Sequence, residues 1–126
     1  MKFQPDRAEG VNIITRHDES SVWVGNTCFK HSLLVPSEGD VLAWPPGTVR
    51  ELEAVHFEQV LALKPELVIF GSGTRLQFVS PALHCCLIEQ RIGIETMDTA
   101  AACRTYNVLA SEGRRVLAAL LVATGA

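Results

Sequence analysis

The sequence predicts an α/β fold, one domain built on a mixed β-sheet with crossover helices. Three observations carry this expectation. The chain has 126 residues, 48% hydrophobic and 20% charged, the size and composition of one globular domain with its own core. Its first half alternates apolar and polar residues and is punctuated by turn residues. After Gly47 the apolar period lengthens from two to 3.6, and strand-like and helix-like segments take turns.

Residues 1–10, with Pro5, Asp6, Arg7 and Gly10, read as a loose leader to a single domain over 1–126. Residues 11–35 then read as β. Asn12-Ile13-Ile14-Thr15 is a short strand, Asp18-Glu19-Ser20 a turn and Ser21-Val22-Trp23-Val24 a second strand. Gly25-Asn26 breaks the chain before Thr27-Cys28-Phe29-Lys30-His31. Ser37-Glu38-Gly39-Asp40 is a further turn, and Val41-Leu42-Ala43-Trp44 a strand that Pro45-Pro46-Gly47 must end, because two prolines cannot continue a ladder.

The second half follows an αβαβαβ order. Leu52, Val55, His56, Gln59, Val60 and Leu63 share one helical face, and Lys64-Pro65 stops that helix. Leu67-Val68-Ile69-Phe70 is continuously apolar, as a strand covered on both faces should be. Ser80-Pro81 is a helix start with a serine cap and proline at the first position; the helix runs to about Arg91, with Gly93 as its C-terminal cap. Ile94-Glu95-Thr96-Met97 is a strand. Asp98 caps a helix in which Ala102, Tyr106 and Leu109 face one way, and Gly113 closes it. Residues 116–122 form the last strand. Strand–helix–strand units imply parallel neighbours, and the early hairpins make the whole sheet mixed.

Composition also narrows function. A formal net charge of −3 disfavours a nucleic-acid binder, which needs a basic face. The longest apolar run, residues 116–123, is far short of a membrane span. With no apolar secretory stretch near the N-terminus, the expectation is a soluble, cytoplasmic protein. Cys28, Cys85, Cys86 and Cys103 make no C-x-x-C pair, so they read as reduced, buried thiols. His17, His31, His56 and His84 lack compact ligand spacing, and no metal or cofactor is expected. His84 beside Cys85 and Cys86 is the most tempting catalytic group, but successive helix residues diverge by about 100°.

Three segments remain as candidate sites. Gly71-Ser72-Gly73-Thr74-Arg75 follows a buried strand at its carboxyl end, where open α/β sheets bind ligands. Its backbone N–H groups, with Ser72, Thr74 and Arg75, can hold an anion. Leu76 stands where a dinucleotide fingerprint would place a third glycine, and no Gly-Lys-Ser/Thr of a P-loop follows. A tight strand-ending loop is the plainer reading. Cys103-Arg104-Thr105-Tyr106-Asn107 sets three indifferent helix formers in a row, which points to constraints beyond propensity; helix–sheet packing and a binding role for Arg104, Thr105 and Asn107 both fit. Glu112-Gly113-Arg114-Arg115 suits a helix end or a carboxylate partner.

Residues 94–109, with Glu112-Gly113-Arg114, resemble the Mth938-like (DUF498) family, as do Pro65-Glu66-Leu67-Val68-Ile69-Phe70-Gly71-Ser72-Gly73 and Trp44-Pro45-Pro46. The likeness spans about residues 11–122. It implies a three-layer α/β fold, a central mixed sheet plus a small accessory β-sheet, and kinship with an assembly factor for respiratory complex I. It supplies no catalytic residues. Two functions stay open. One is a non-enzymatic interaction or assembly protein with protein partners. The other is a binder of a small anionic or nucleotide-like molecule, or an enzyme, in which Gly71–Arg75 and Arg104–Asn107 line one cleft.

Overall fold

The computed structural model describes residues 10–123, so the expected leader, Gly10 apart, lies outside the described residues. Strands β1 (Ile14–His17), β2 (Val22–Val24) and β3 (Thr27–Phe29) form a three-stranded antiparallel sheet. Strands β4 (Leu33–Pro36), β5 (Leu42–Ala43), β6 (Leu67–Gly71), β7 (Gly93–Met97) and β8 (Val116–Leu120) form a five-stranded sheet in the order β5-β4-β8-β6-β7. β6 runs parallel to both β7 and β8, and β4 antiparallel to β8. The large sheet is therefore mixed and the small one accessory to it.

β8 is the centre of the molecule. All of its residues are buried, because a strand lying between two neighbours and two covering layers meets no water. Val116, Ala118, Leu120 and Val122 join one core; Leu117, Ala119 and Leu121 join the other. The alternation follows from the two-residue repeat of a strand. Ala118 lies between Val35 and Ile69, and Ala119 between Leu34 and Phe70, so small side chains on the middle strand face large ones beside them and each layer fills without overpacking.

Helices α1 (Ala54–Ala62) and α2 (Cys85–Glu89) cover one face. Their core includes Phe57, Val60 and Leu87 with Trp44 and Phe70. The Trp44 ring stands edge-on to Phe57 and Phe70 at centroid distances of 5.9 and 6.2 Å, a geometry worth about 0.5–1.5 kcal/mol per pair beyond burial. The Trp44 indole N–H donates to the His56 carbonyl at 3.2 Å. On the other face, α3 (Thr99–Ser111) buries Ala102, Cys103, Tyr106 and Ala110 in a core shared with the three-stranded sheet.

Several expectations need correction. The face of α1 turns about Phe57 and Val60; Val55 is 51% exposed and Gln59 is also exposed, while Leu52 is buried ahead of the helix. Phe57, absent from the expected stripe, is the largest apolar group in the segment and takes the buried position. The helix expected from Ser80 to Arg91 is divided into a 3-10 turn over Pro81–His84 and the short α2. Gly93 does not cap it. Arg91 takes the left-handed conformation at φ 60, and Gly93 opens β7. Cys85 is exposed, so only part of the expectation of buried thiols holds; Cys103 is buried. The strands are shifted or shortened: β1 begins at Ile14 rather than Asn12, and β5 keeps only Leu42 and Ala43.

Candidate functional site

At the carboxyl end of β6 the backbone turns sharply against the start of α3. A Cβ on Gly71 would lie 2.9 Å from both Cα and Oγ1 of Thr99 and 3.1 Å from Cβ of Ala102, so glycine is required by space alone. Gly73 is required by conformation, at φ 108. The loop is then laced by hydrogen bonds. Ser72 N donates to Met97 O at 2.8 Å, and Thr99 N to Gly73 O at 2.9 Å. The Thr99 hydroxyl accepts from Gly73 N at 2.9 Å and donates to Leu121 O at 2.8 Å. Ser72 is buried; its hydroxyl donates to Arg75 O at 2.7 Å and accepts from Gln77 N at 3.0 Å. With its one proton so placed, Ser72 is a brace rather than a primed nucleophile.

A cavity of about 370 Å³ opens over this loop. Ser72, Gly73, Thr74 and Arg75 line it, with Asp98 and Thr99 at the start of α3, His17 at the end of β1, and Asp18 and Glu19 from the turn between β1 and β2. Both sheets thus contribute walls. Asp98 caps α3, its carboxylate accepting from Ala101 N at 2.9 Å, and so occupies part of the positive helix end that an anion would use. The Ser20 backbone N–H, and next the Ser21 hydroxyl, hold the Asp18 carboxyl below its ordinary range, against a smaller opposing effect of burial. Among the described residues, the cavity's lining holds the carboxylates of Asp18, Glu19 and Asp98 with His17 and one guanidinium, Arg75.

The second candidate segment does not join the first. Arg104 is exposed and Thr105 half-buried on α3, and neither they nor Asn107 line the cavity. Asn107 sits about 12 Å along the helix axis from Thr99 at 1.5 Å per residue. Its side-chain amide is occupied: Nδ2 donates to Ile14 O at 2.7 Å and Oδ1 accepts from Ile14 N at 2.9 Å. The neighbouring Tyr106 hydroxyl donates to Asn12 O at 2.7 Å, and burial pushes its pKa up. Two of the three unusual helix residues, Tyr106 and Asn107, are explained here by a clasp that fastens β1 and the residues before it to α3.

A further cleft of about 400 Å³ lies at the other end of the sheet, lined by Arg114, Arg115 and Glu38 among others. Its cations are engaged. Arg114 pairs with Glu66 at 3.5 Å, and Arg115 Nε donates to Lys64 O at 3.1 Å. Hydrogen bonding from Arg115 N holds the Glu66 carboxyl below its usual range against an opposing effect of burial, and the Arg114 charge adds a smaller lowering. His84 and Cys85 carry no partner chemistry; the His84 ring packs edge-on to Phe57 at 5.7 Å. Among the described residues no group of His, Cys, Asp and Glu has the arrangement to hold a metal ion.

Sequence reasoning missed Thr99 and the Asp18–Glu19 wall. A threonine at the first turn of a helix carries no distinctive signal, and two acidic residues in a hairpin turn look like any solvated turn.

The two-sheet architecture with α3 between the sheets defines the Mth938-like class. A Bordetella pertussis protein described as a Mth938-like domain superposes with a TM-score of 0.83 at 29% identity, over 98% of this chain and 95% of that one. A Bordetella parapertussis crystal structure gives 0.86 at 35% identity, over 92% and 99%. The family described as "Protein of unknown function (DUF498/DUF598)" matches residues 14–121, and the chain belongs to it. Curated relatives include proteins named NADH dehydrogenase (ubiquinone) 1 alpha subcomplex assembly factor 3. The one from Bos taurus is 32% identical over 103 residues, 80% of this chain and 55% of its own length. That from Xenopus tropicalis is 28% identical over 123 residues, 96% of this chain and 66% of its own. The chain therefore spans about half to two thirds of these relatives. No helix among the described residues is long and apolar enough to cross a membrane.

Proposed function

We propose that this chain is a non-enzymatic assembly factor, a protein-binding domain that acts on a respiratory NADH dehydrogenase. The observation that carries the reading is the match of relatives so named across most of this chain. The site chemistry supports it. Ser72 and Asn107 are committed to internal hydrogen bonds, which leaves scaffolding as their role. An anionic ligand on Gly71–Arg75 is the weaker reading, because among the described residues three carboxylates and one guanidinium line that cavity. The reading locates the work in the cytoplasm, with protein partners.

The test is deletion of the gene in its native host. Membranes from the deletion strain should contain less assembled NADH dehydrogenase on native gels and show less NADH oxidation, both restored by the chain supplied in trans. Unchanged amounts of the assembled enzyme would overturn the proposal.

A further inference from the structure

We propose that Leu76 and Phe78, together with the acidic cavity beside them, form one docking surface for a basic segment of a partner protein that also carries apolar side chains; this deepens the assembly reading above and rests on it. Phe78 is 73% exposed and Leu76 52%. Large apolar groups this exposed are informative when they adjoin a concave site. They flank Gln77 in the chain, and Gln77 lines the cavity together with Arg75, so each of the pair is one residue from its lining.

This segment is held in place rather than loosely hung. Ser72 Oγ fixes both Arg75 O and Gln77 N, which presents Leu76 and Phe78 from a braced backbone. A surface ordered before binding loses less freedom on docking. Charge then selects the partner. Among the described residues, Asp18, Glu19 and Asp98 line the cavity with Arg75 and His17, so carboxylates outnumber the one guanidinium. A lysine or arginine of the partner fits that field, and a carboxylate or phosphate is repelled. The volume, about 370 Å³, is near the lower end of the roughly 300–1,000 Å³ span of ligand pockets. It suits one long side chain while neighbouring apolar residues of the same segment cover Leu76 and Phe78. Val108, 55% exposed on α3, does not line the cavity and serves as a control.

The probe is a short amphipathic peptide of lysine and leucine, compared with its glutamate–leucine counterpart by fluorescence anisotropy at physiological salt. The lysine peptide should bind and shift the backbone amide resonances of residues 17–19 and 72–78. Phe78→Ser, and separately Asp18→Asn with Glu19→Gln, should each weaken binding roughly tenfold, the effect of removing an interface anchor; Val108→Ser should not. Phe78 is exposed and Asn at 18 keeps the acceptor for Ser20 and Ser21, so these variants fold, and thermal melts verify it. Equal binding of the glutamate peptide, inorganic phosphate shifting the same amides, or indifference to both variants overturns the proposal. So does a dimer of the chain that Phe78→Ser dissociates, since the occupant is then a second copy. In the deletion strain, rescue by wild type but not by Phe78→Ser supports both readings. Equal rescue by both sinks the docking surface and leaves the assembly role standing. Failure of both to rescue sinks the assembly role, and the peptide titration still decides the surface.

Discussion

Replacing Gly71 by alanine tests the most crowded glycine among the described residues. The backbone there needs no glycine conformation, since its φ is not among the positive values; the constraint is a missing atom. The added methyl would sit 2.9 Å from Thr99 Cα and 2.9 Å from Thr99 Oγ1, against about 3.5–4.0 Å for an unstrained carbon contact. One of those atoms is backbone at the first turn of α3, and the other is fixed by Gly73 N and Leu121 O. Neither can rotate away. Relief requires α3 to move off β6, which disturbs the core formed by Ala102, Cys103 and Tyr106. Overpacking of this kind costs about 1–3 kcal/mol, offset by about 0.4–1 kcal/mol because alanine restricts the unfolded chain. A net loss of about 1.3 kcal/mol is expected. With a urea slope of about 2 kcal/mol/M, the unfolding midpoint should fall by about 0.6 M. Gly47→Ala is the matched control. Its added methyl meets nothing nearer than Glu51 Oε1 at 3.6 Å, and its midpoint should stay within about 0.5 kcal/mol of wild type. If Gly71→Ala is as stable as the control, the close-approach argument is wrong.

Further outcomes follow from the clasp and from the buried ionisable groups. Asn107→Ala removes both hydrogen bonds to Ile14 and should destabilise by about 1–3 kcal/mol; hydrogen exchange should quicken in β1 and β2 more than in β6 and β8, and uniform protection would count against a clasp. Burial pushes the Cys103 thiol up to about 12, a small opposing effect of Arg104 notwithstanding, and raises the Tyr106 hydroxyl. Both folded values are raised, so the unfolded chain ionises first: stability should be intact below about pH 8.5, the ordinary thiol value, and fall as pH rises toward 12. Urea midpoints that stay flat over that range would refute the burial argument. Cys103→Ala should make the fall shallower below about pH 10, where tyrosine begins to ionise, with the Cys86 thiol, also raised by burial, keeping a remainder.

Much of this fold is legible in the chain because its signals are local. The continuous apolar run at Leu67–Gly71 announces a strand covered on both sides, and Val68, Ile69 and Phe70 are buried as that requires. Asp98 caps α3 because a short carboxylate reaches the free N–H groups of the first turn. Residues 116–120 form a strand despite alanine and leucine, since tertiary position overrides propensity. What is not legible depends on partners distant in sequence. Nothing near Asn107 says that its amide will meet Ile14, 93 residues away. Nothing near Asp18 says that its turn will line one cavity with Asp98. Gly71 is visible as a loop residue, but its actual reason, the approach of Thr99, exists only once α3 has docked.

The central strand is also the last to be made of the eight among the described residues. β8 joins β4 on one side to β6 on the other, yet the other seven precede it in the chain. As the protein leaves the ribosome, the β4–β5 and β6–β7 pairs emerge with inner edges that have no partner. Exposed edges of this kind recruit foreign strands. The two halves cannot close until residues 116–120 clear the exit tunnel. This domain therefore completes its sheet only once residues 116–120 have emerged, and a pause or truncation ahead of Val116 leaves a nascent chain with two open edges for chaperones to shield.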